Sequence, residues 1–281
     1  MKTRRMLCAV LLALAVLLCV IMVLRAKAER VQPEETSLPD AEEILNSTPE
    51  PTPNPTPEPT PEPAFPAGVY FGKHEQIDEV YGNQYLEYCV KIPQNSQEGM
   101  PLIVYLHGDN LITRLEELPK SDIAYQAEQI YGDEFPFILL MPNTREPEWF
   151  GGWIGPNLKG LIDEVSKEYR TSDVVITGYS RGAIAVWQLV ENYGTYFSKA
   201  VPVSCWARIH GENFVDVPVW ALYGDAVYDS QTYGSSMRYN VELINAAGGD
   251  AKYSVLENSD HPDTCYSAYS REVFEWMTQK N

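Results

Sequence analysis

From residue 85 onward, apolar residues gather in short runs separated by longer amphipathic stretches. The runs cover 85–92, 101–106, 135–141, 173–177, 199–204, 217–222 and 251–256, each of strand length. Between them, 121–131, 157–169, 182–192 and 235–247 space their apolar residues as helices do, and 266–279 predicts a closing helix. The segment 68–80 predicts an antiparallel edge strand that pairs with 85–92. Strand alternating with helix is the pattern of an α/β fold, a mostly parallel sheet with helices on both faces. In such a sheet, chemistry collects at the carboxyl ends of the strands. Those ends therefore hold the candidate functional residues.

The first 64 residues follow a different pattern. Lys2, Arg4 and Arg5 precede an uncharged, proline-free run of nineteen residues, 6–24, long enough to span a bilayer as a helix. Ala26-Lys27-Ala28 follows it as a signal-peptidase type of site, so residues 1–30 read as a transmembrane anchor or as a cleaved signal. Residues 31–64 hold no Lys or Arg, eight Asp or Glu and a Thr-Pro-Glu-Pro repeat. That composition cannot bury a core and favours extended polyproline II, with a reach on the order of 100 Å. It predicts a disordered linker that holds a domain, 65–281, beyond a membrane or in the extracellular space.

Charge and cysteine content narrow the classes further. The domain carries 15 Lys and Arg against 30 Asp and Glu, a charge of −15, which argues against nucleic acid and anionic polymers as partners. Its three cysteines, Cys89, Cys205 and Cys265, are an odd number and do not make a disulfide framework, and one bridge, Cys205 to Cys265, is the candidate pair. No metal-ligand spacing or phosphate-binding glycine loop stands out, so neither metal nor cofactor is expected.

The most informative motif is Gly178-Tyr179-Ser180-Arg181-Gly182, between a predicted strand and a predicted helix. A serine on so sharp a turn needs glycine two residues to either side, because side chains there would collide. The helix that follows favours developing negative charge at its N-terminus. Run 101–106 ends in His107-Gly108-Asp109, a strand end from which backbone N–H groups of Asp109 and Arg181 can form an oxyanion hole. His107 itself reads as a residue that shapes the loop.

A nucleophilic serine needs a base and an acid that follow it in the order serine, acid, histidine. Of the four histidines, only His210 and His261 follow Ser180, and His261 lies beyond the last strand, in a loop before the final helix. His261 is the expected base. The acid is expected just after 217–222, in Tyr223-Gly224-Asp225-Ala226-Val227-Tyr228-Asp229. Asp225 is preferred, because it stands at the strand end, and Asp229 is second.

These motifs together resemble the α/β-hydrolase superfamily, in particular small extracellular esterases of the feruloyl, acetylxylan and polyhydroxybutyrate-depolymerase-like group. The resemblance covers 65–281 and rests on Leu106-His107-Gly108, the elbow at Ser180, Tyr223-Gly224-Asp225 and His261. It implies an α/β-hydrolase fold and an extracytoplasmic serine esterase that works through an acyl-enzyme on acyl or phenolic esters of carbohydrates, with Ser180, Asp225 and His261 as its triad. Two departures stand out. The family usually places two residues between the glycine and the aspartate of the acid loop, and often more glycine after His-Gly. Only residues 205–216 separate the runs 199–204 and 217–222, too few for a helical cap. An uncapped serine suits soluble or polymer-bound esters. Trp153 and Trp206, with Trp149, Phe150 and Tyr228, are the aromatic candidates for substrate contact. A peptidase with the same triad and a non-catalytic, surface-displayed binding domain are the other readings.

Overall fold

The apolar runs become the strands of one sheet in the computed structural model, which describes residues 62–79, 82–109, 114–144 and 154–280. The N-terminal apolar run and nearly all of the proline-rich segment lie outside the described residues, as do Trp149, Phe150 and Trp153. The strands are β1 (Gly68–Asp78), β2 (Gly82–Ile92), β3 (Leu102–Leu106), β4 (Ile138–Asn143), β5 (Val174–Tyr179), β6 (Lys199–Val203), β7 (Val219–Gly224) and β8 (Ala251–Leu256). Their order across the sheet is β1-β2-β4-β3-β5-β6-β7-β8. The β1/β2 and β2/β4 pairs are antiparallel, and every pairing from β4/β3 to β7/β8 is parallel.

Burial explains which strands take which place. Every residue of β3, β4, β6 and β7 is buried, as a parallel strand covered on both faces requires. At the edge, β8 buries only its first residue fully. On one face pack α2 (Ile154–Glu168) and α3 (Arg181–Tyr193), through Leu158, Leu161, Val186 and Trp187. On the other pack α1 (Asp122–Tyr131) and the C-terminal helix, through Ile123, Ala127, Phe274 and Met277.

After β7 a continuous helical run begins with α4 (Val227–Asp229), passes through a π-helical turn at Ser230–Gly234 and continues as α5 (Ser235–Ala246). The predicted single helix 266–279 is instead two, α6 (His261–Ser267) and α7 (Arg271–Thr278). The break falls where the side chain of Ser270 accepts the Val273 N–H and caps a new helix. Cys205 and Cys265 are not bridged: all three domain cysteines are free and buried, and these two sit in the cores on opposite faces of the sheet.

One buried carboxyl beneath the strand ends predicts a pH effect. Asp122, the first residue of α1, is enclosed and receives the Tyr105 hydroxyl at 2.6 Å from Oδ2. Burial pushes its pKa up from 3.8 to about 6. The folded state therefore holds this proton more tightly than the unfolded chain. The group favours the fold at low pH, and that contribution is lost as pH rises from about 4 to about 6. Relative to Asp122→Asn, wild type is expected to lose about 3 kcal/mol of stability over that window, with urea unfolding at pH 4 and pH 7 as the measurement.

Candidate active site

The elbow at Ser180 is sterically determined. Ser180 joins β5 to α3 with φ 54° and ψ −116°, a conformation that costs a non-glycine residue about 1–3 kcal/mol. Its N–H donates to the Val203 carbonyl at 2.9 Å, which ties the turn to β6. A Cβ on Gly178 would come within 2.7 Å of the Gly182 backbone, and one on Gly182 within 1.9 Å of the Leu106 carbonyl oxygen. Backbone atoms cannot yield as side chains do. Gly182→Ala is therefore expected to cost about 3 kcal/mol or more and to lower the melting temperature by about 10 °C, measured by calorimetry.

His261 meets Ser180 across the sheet. Its Nε2 is 3.0 Å from Ser180 Oγ, and its Nδ1 is 2.9 Å from Asp229 Oδ1. A neutral imidazole that donates from Nδ1 to the carboxylate leaves Nε2 free to accept the serine proton. Although expected in a loop, His261 is the first residue of α6, where Asp260 caps the helix by accepting the Asp263 N–H. The Tyr179 hydroxyl donates to the His261 carbonyl at 2.7 Å, and the Tyr233 ring lies 4.5 Å from the imidazole, centre to centre. Both fix where the ring stands.

Asp229 is fully buried, and its charge is met by three donors. Beyond His261, its Oδ2 accepts the Gly224 N–H at 2.6 Å and the Ser204 hydroxyl at 3.0 Å. The carboxylate sits where α4 passes into the π turn, a rare helical form that often marks functional positions. Gly234, at the end of that turn, leaves room for the Tyr223 ring, which a Cβ would approach to 2.5 Å.

The aspartate placed beside the histidine is thus Asp229 and not Asp225. Asp225 is exposed, and its Oδ1 accepts the Ser259 N–H at 3.1 Å. Backbone N–H groups of Asn258 and Ser259 hold its pKa below the ordinary value. A Cβ on Gly224 would stand 2.2 Å from the Ser259 carbonyl oxygen, so the strand end lies directly against that turn. Asp225 braces the turn leading to His261, and the chain needs one more helical turn to bring a carboxylate under the imidazole.

The other singled-out residues fall into place around this core. His107 is fully buried and directs Nδ1 to the Gly108 carbonyl at 2.7 Å, and burial lowers its pKa to about 4. Arg181 opens α3, where its backbone N–H has no intrahelical acceptor. Its side-chain Nε lies 2.9 Å from Asp109 Oδ1, so the two residues expected to frame an oxyanion hole are joined by an ion pair. Trp206 is half exposed, with the Arg208 guanidinium 5.5 Å from its ring centre. Tyr228 is exposed and packs edge-on against Tyr233 at 6.0 Å. Sequence reasoning missed Ser204 and Tyr233. Ser204 carried a weak signal, as the last residue of an apolar run, and Tyr233 carried none. Among the described residues, no group of three or more His, Cys, Asp or Glu is placed to hold a metal ion.

No protein-family model matches this chain, and no curated protein matches it by sequence. Solved structures do resemble it. A thermostable esterase superimposes with a TM-score of 0.60 at 19% identity, over 74% of this chain and 62% of that one. The chain therefore spans less than two thirds of that esterase's length. The S-formylglutathione hydrolase of Staphylococcus aureus gives 0.55 at 14% identity, over 76% of this chain and 100% of that chain. A ferulic acid esterase also gives 0.55, at 13% identity, over 75% of this chain and 98% of its own. At these identities the likeness establishes the α/β-hydrolase fold.

Proposed function

We propose that the domain is an extracytoplasmic serine esterase in which Ser180, His261 and Asp229 form the catalytic triad. The observation that carries this reading is the unbroken hydrogen-bonded path from a buried carboxylate through Nδ1 and Nε2 of one imidazole to a serine on a strained elbow. In the first half of the reaction, His261 Nε2 takes the Ser180 proton as Oγ attacks the ester carbonyl. Asp229 holds the tautomer and stabilises the imidazolium. The backbone N–H groups of Arg181 and Asp109 receive the oxyanion, each donor contributing about 3 kcal/mol to the transition state. His261 then protonates the departing alcohol, leaving Ser180 acylated. Water repeats the sequence with the same histidine as base and releases the acid.

Esters are favoured over amides by the names of the neighbouring structures, which include a thermostable esterase and a ferulic acid esterase. The short connection between β6 and β7 supports soluble or polymer-bound substrates, including phenolic or acyl esters of carbohydrates. Between β6 and β7 the only helical element is the short turn Gly211–Phe214. The apolar run 6–24 and the proline-rich segment after it support a location outside the cytoplasm, as a membrane-anchored or a released form. A panel of acetyl, feruloyl and longer acyl esters alongside peptide amides tests the reading on the full-length protein. Ester turnover with inert amides is expected, and amide cleavage at comparable rates would identify a peptidase instead.

The Ser204 hydroxyl gives this reading an internal check. Ser204 is buried with φ 46° and touches Asp229 rather than substrate, so it acts as a positioning residue. Ser204→Ala is expected to lower kcat about tenfold with KM unchanged, the cost of one hydrogen bond to a charged group. Its pH profile should shift as the imidazolium loses support, and an unchanged profile would assign Ser204 a packing role only.

A further inference from the structure

The loop that follows β6 continues from Ser204, beneath Asp229, to Trp206 and Arg208, and there it forms one wall of an open groove of about 670 Å³. The opposite wall is α5, through Ser235, Ser236 and Tyr239. Both walls thus descend from segments that build the triad, because α5 continues the helical run that contains Asp229. The Ser180 N–H also meets the Val203 carbonyl at 2.9 Å, three residues before Trp206, so the same loop runs from the serine to the groove.

The groove is built before anything enters it. The Ser236 hydroxyl accepts the Ala207 N–H at 3.1 Å and donates to the Ala207 carbonyl at 2.9 Å, with Asn240 Nδ2 3.3 Å from the same oxygen. These bonds join the loop to the helix. Trp206 and Tyr239 are more than half exposed, at 52% and 58%, so broad aromatic surfaces remain open on a wall that is otherwise fixed. The volume lies in the range of small-molecule sites.

Charge selects among possible occupants. His210 in this groove is already matched by Glu191, at 2.7 Å from Nδ1. Arg208 is exposed, with its guanidinium 5.5 Å from the Trp206 ring centre and no carboxylate partner among the described residues. A guanidinium beside an aromatic ring and free of a carboxylate can offer its planar fork of N–H donors to a planar anion. The domain as a whole carries −15 and repels polyanions, so one nearby carboxylate fits this cation and a chain of them does not.

Resting on the esterase reading, we propose that this groove binds one side of the substrate, and that the preferred substrates are esters bearing an aromatic or sugar ring with a single carboxylate. The ring lies on Trp206 and Tyr239, and the carboxylate meets Arg208.

Matched esters test this on the full-length protein: 4-carboxyphenyl acetate against 4-carbamoylphenyl acetate, and 4-nitrophenyl 4-carboxybenzoate against its carbamoyl counterpart. The two pairs place the anion on the alcohol side or on the acyl side. In one pair the carboxylate ester is expected to have a KM about tenfold lower, and Arg208→Gln to erase that difference while leaving kcat and the carbamoyl ester unchanged. Equal KM values within both pairs, or a preference that survives Arg208→Gln, would overturn the proposal. Binding of 4-carboxybenzamide, followed by tryptophan fluorescence with Trp206→Phe as control, is read without turnover. Saturable quenching that depends on Trp206 and Arg208, in a protein that cleaves no ester, would keep the groove and reject the esterase. Ester turnover without such quenching would do the reverse.

Discussion

Replacement of Ser180 by alanine is expected to lower ester turnover by about six orders of magnitude, to the rate left by the oxyanion donors and binding alone. The alanine loses only the hydroxyl, and the backbone keeps the elbow. Gly178 and Gly182 still make room for the turn, and the Ser180-position N–H still reaches the Val203 carbonyl. The melting temperature should therefore stay within a few degrees of wild type or rise, since alanine tolerates the strained φ no worse than serine. His261→Ala is expected to fall to the same floor, because without Nε2 the serine proton has no acceptor at 3.0 Å. A double variant should be no slower than either single one, as groups that act as a unit are not additive. Steady-state kinetics on separately purified variants, with enzyme concentration set by absorbance, gives these values, and additive losses would mean that the two residues serve separate steps.

The second large effect distinguishes two aspartates four residues apart. Asp229→Asn is expected to lower kcat by about four orders of magnitude, because an amide at this place no longer enforces the productive imidazole tautomer or supports its positive charge. Asp229 is wholly buried, with His261, Gly224 and Ser204 all bonded to it, so no other carboxylate can substitute. Asp225→Asn is expected to change kcat by less than about tenfold. Its Oδ1 accepts a backbone N–H from Ser259, and the asparagine oxygen can accept the same bond. Some loss of stability should accompany it, through the turn that leads to His261. The reverse order of losses would place the functional acid at the strand end and contradict the geometry.

The difference between these aspartates also marks where sequence reasoning stops. Strands and helices were legible because burial on both faces leaves continuous apolar runs, as in β3, β4 and β6, and burial on one face leaves helical spacing, as in α3. The elbow was legible because a collision of backbone atoms admits only glycine at 178 and 182. His261 followed from chain order. Which carboxylate stands beside it did not, because Asp225 and Asp229 are chemically identical and a loop's path has no periodicity. What separates them is a short helix and a π turn, which carry Asp229 inward while Asp225 turns to the Ser259 N–H. Gly224-Asp225 was the more conspicuous pair, and its conspicuousness came from a tight approach to the turn at 258–259. Ser204 was hidden for a related reason: a serine at a strand end has no pattern, and only the third dimension brings its hydroxyl to 3.0 Å from the carboxylate.

Labelling of the full-length protein with a fluorophosphonate, followed by intact-mass and peptide mapping, tests most directly whether Ser180 is an activated nucleophile. Wild type is expected to take up one phosphonyl group, on the peptide that contains Ser180, with Ser180→Ala unlabelled and His261→Ala and Asp229→Asn labelled far more slowly. An unlabelled wild type, or an adduct on a different residue that persists in Ser180→Ala, would contradict the account.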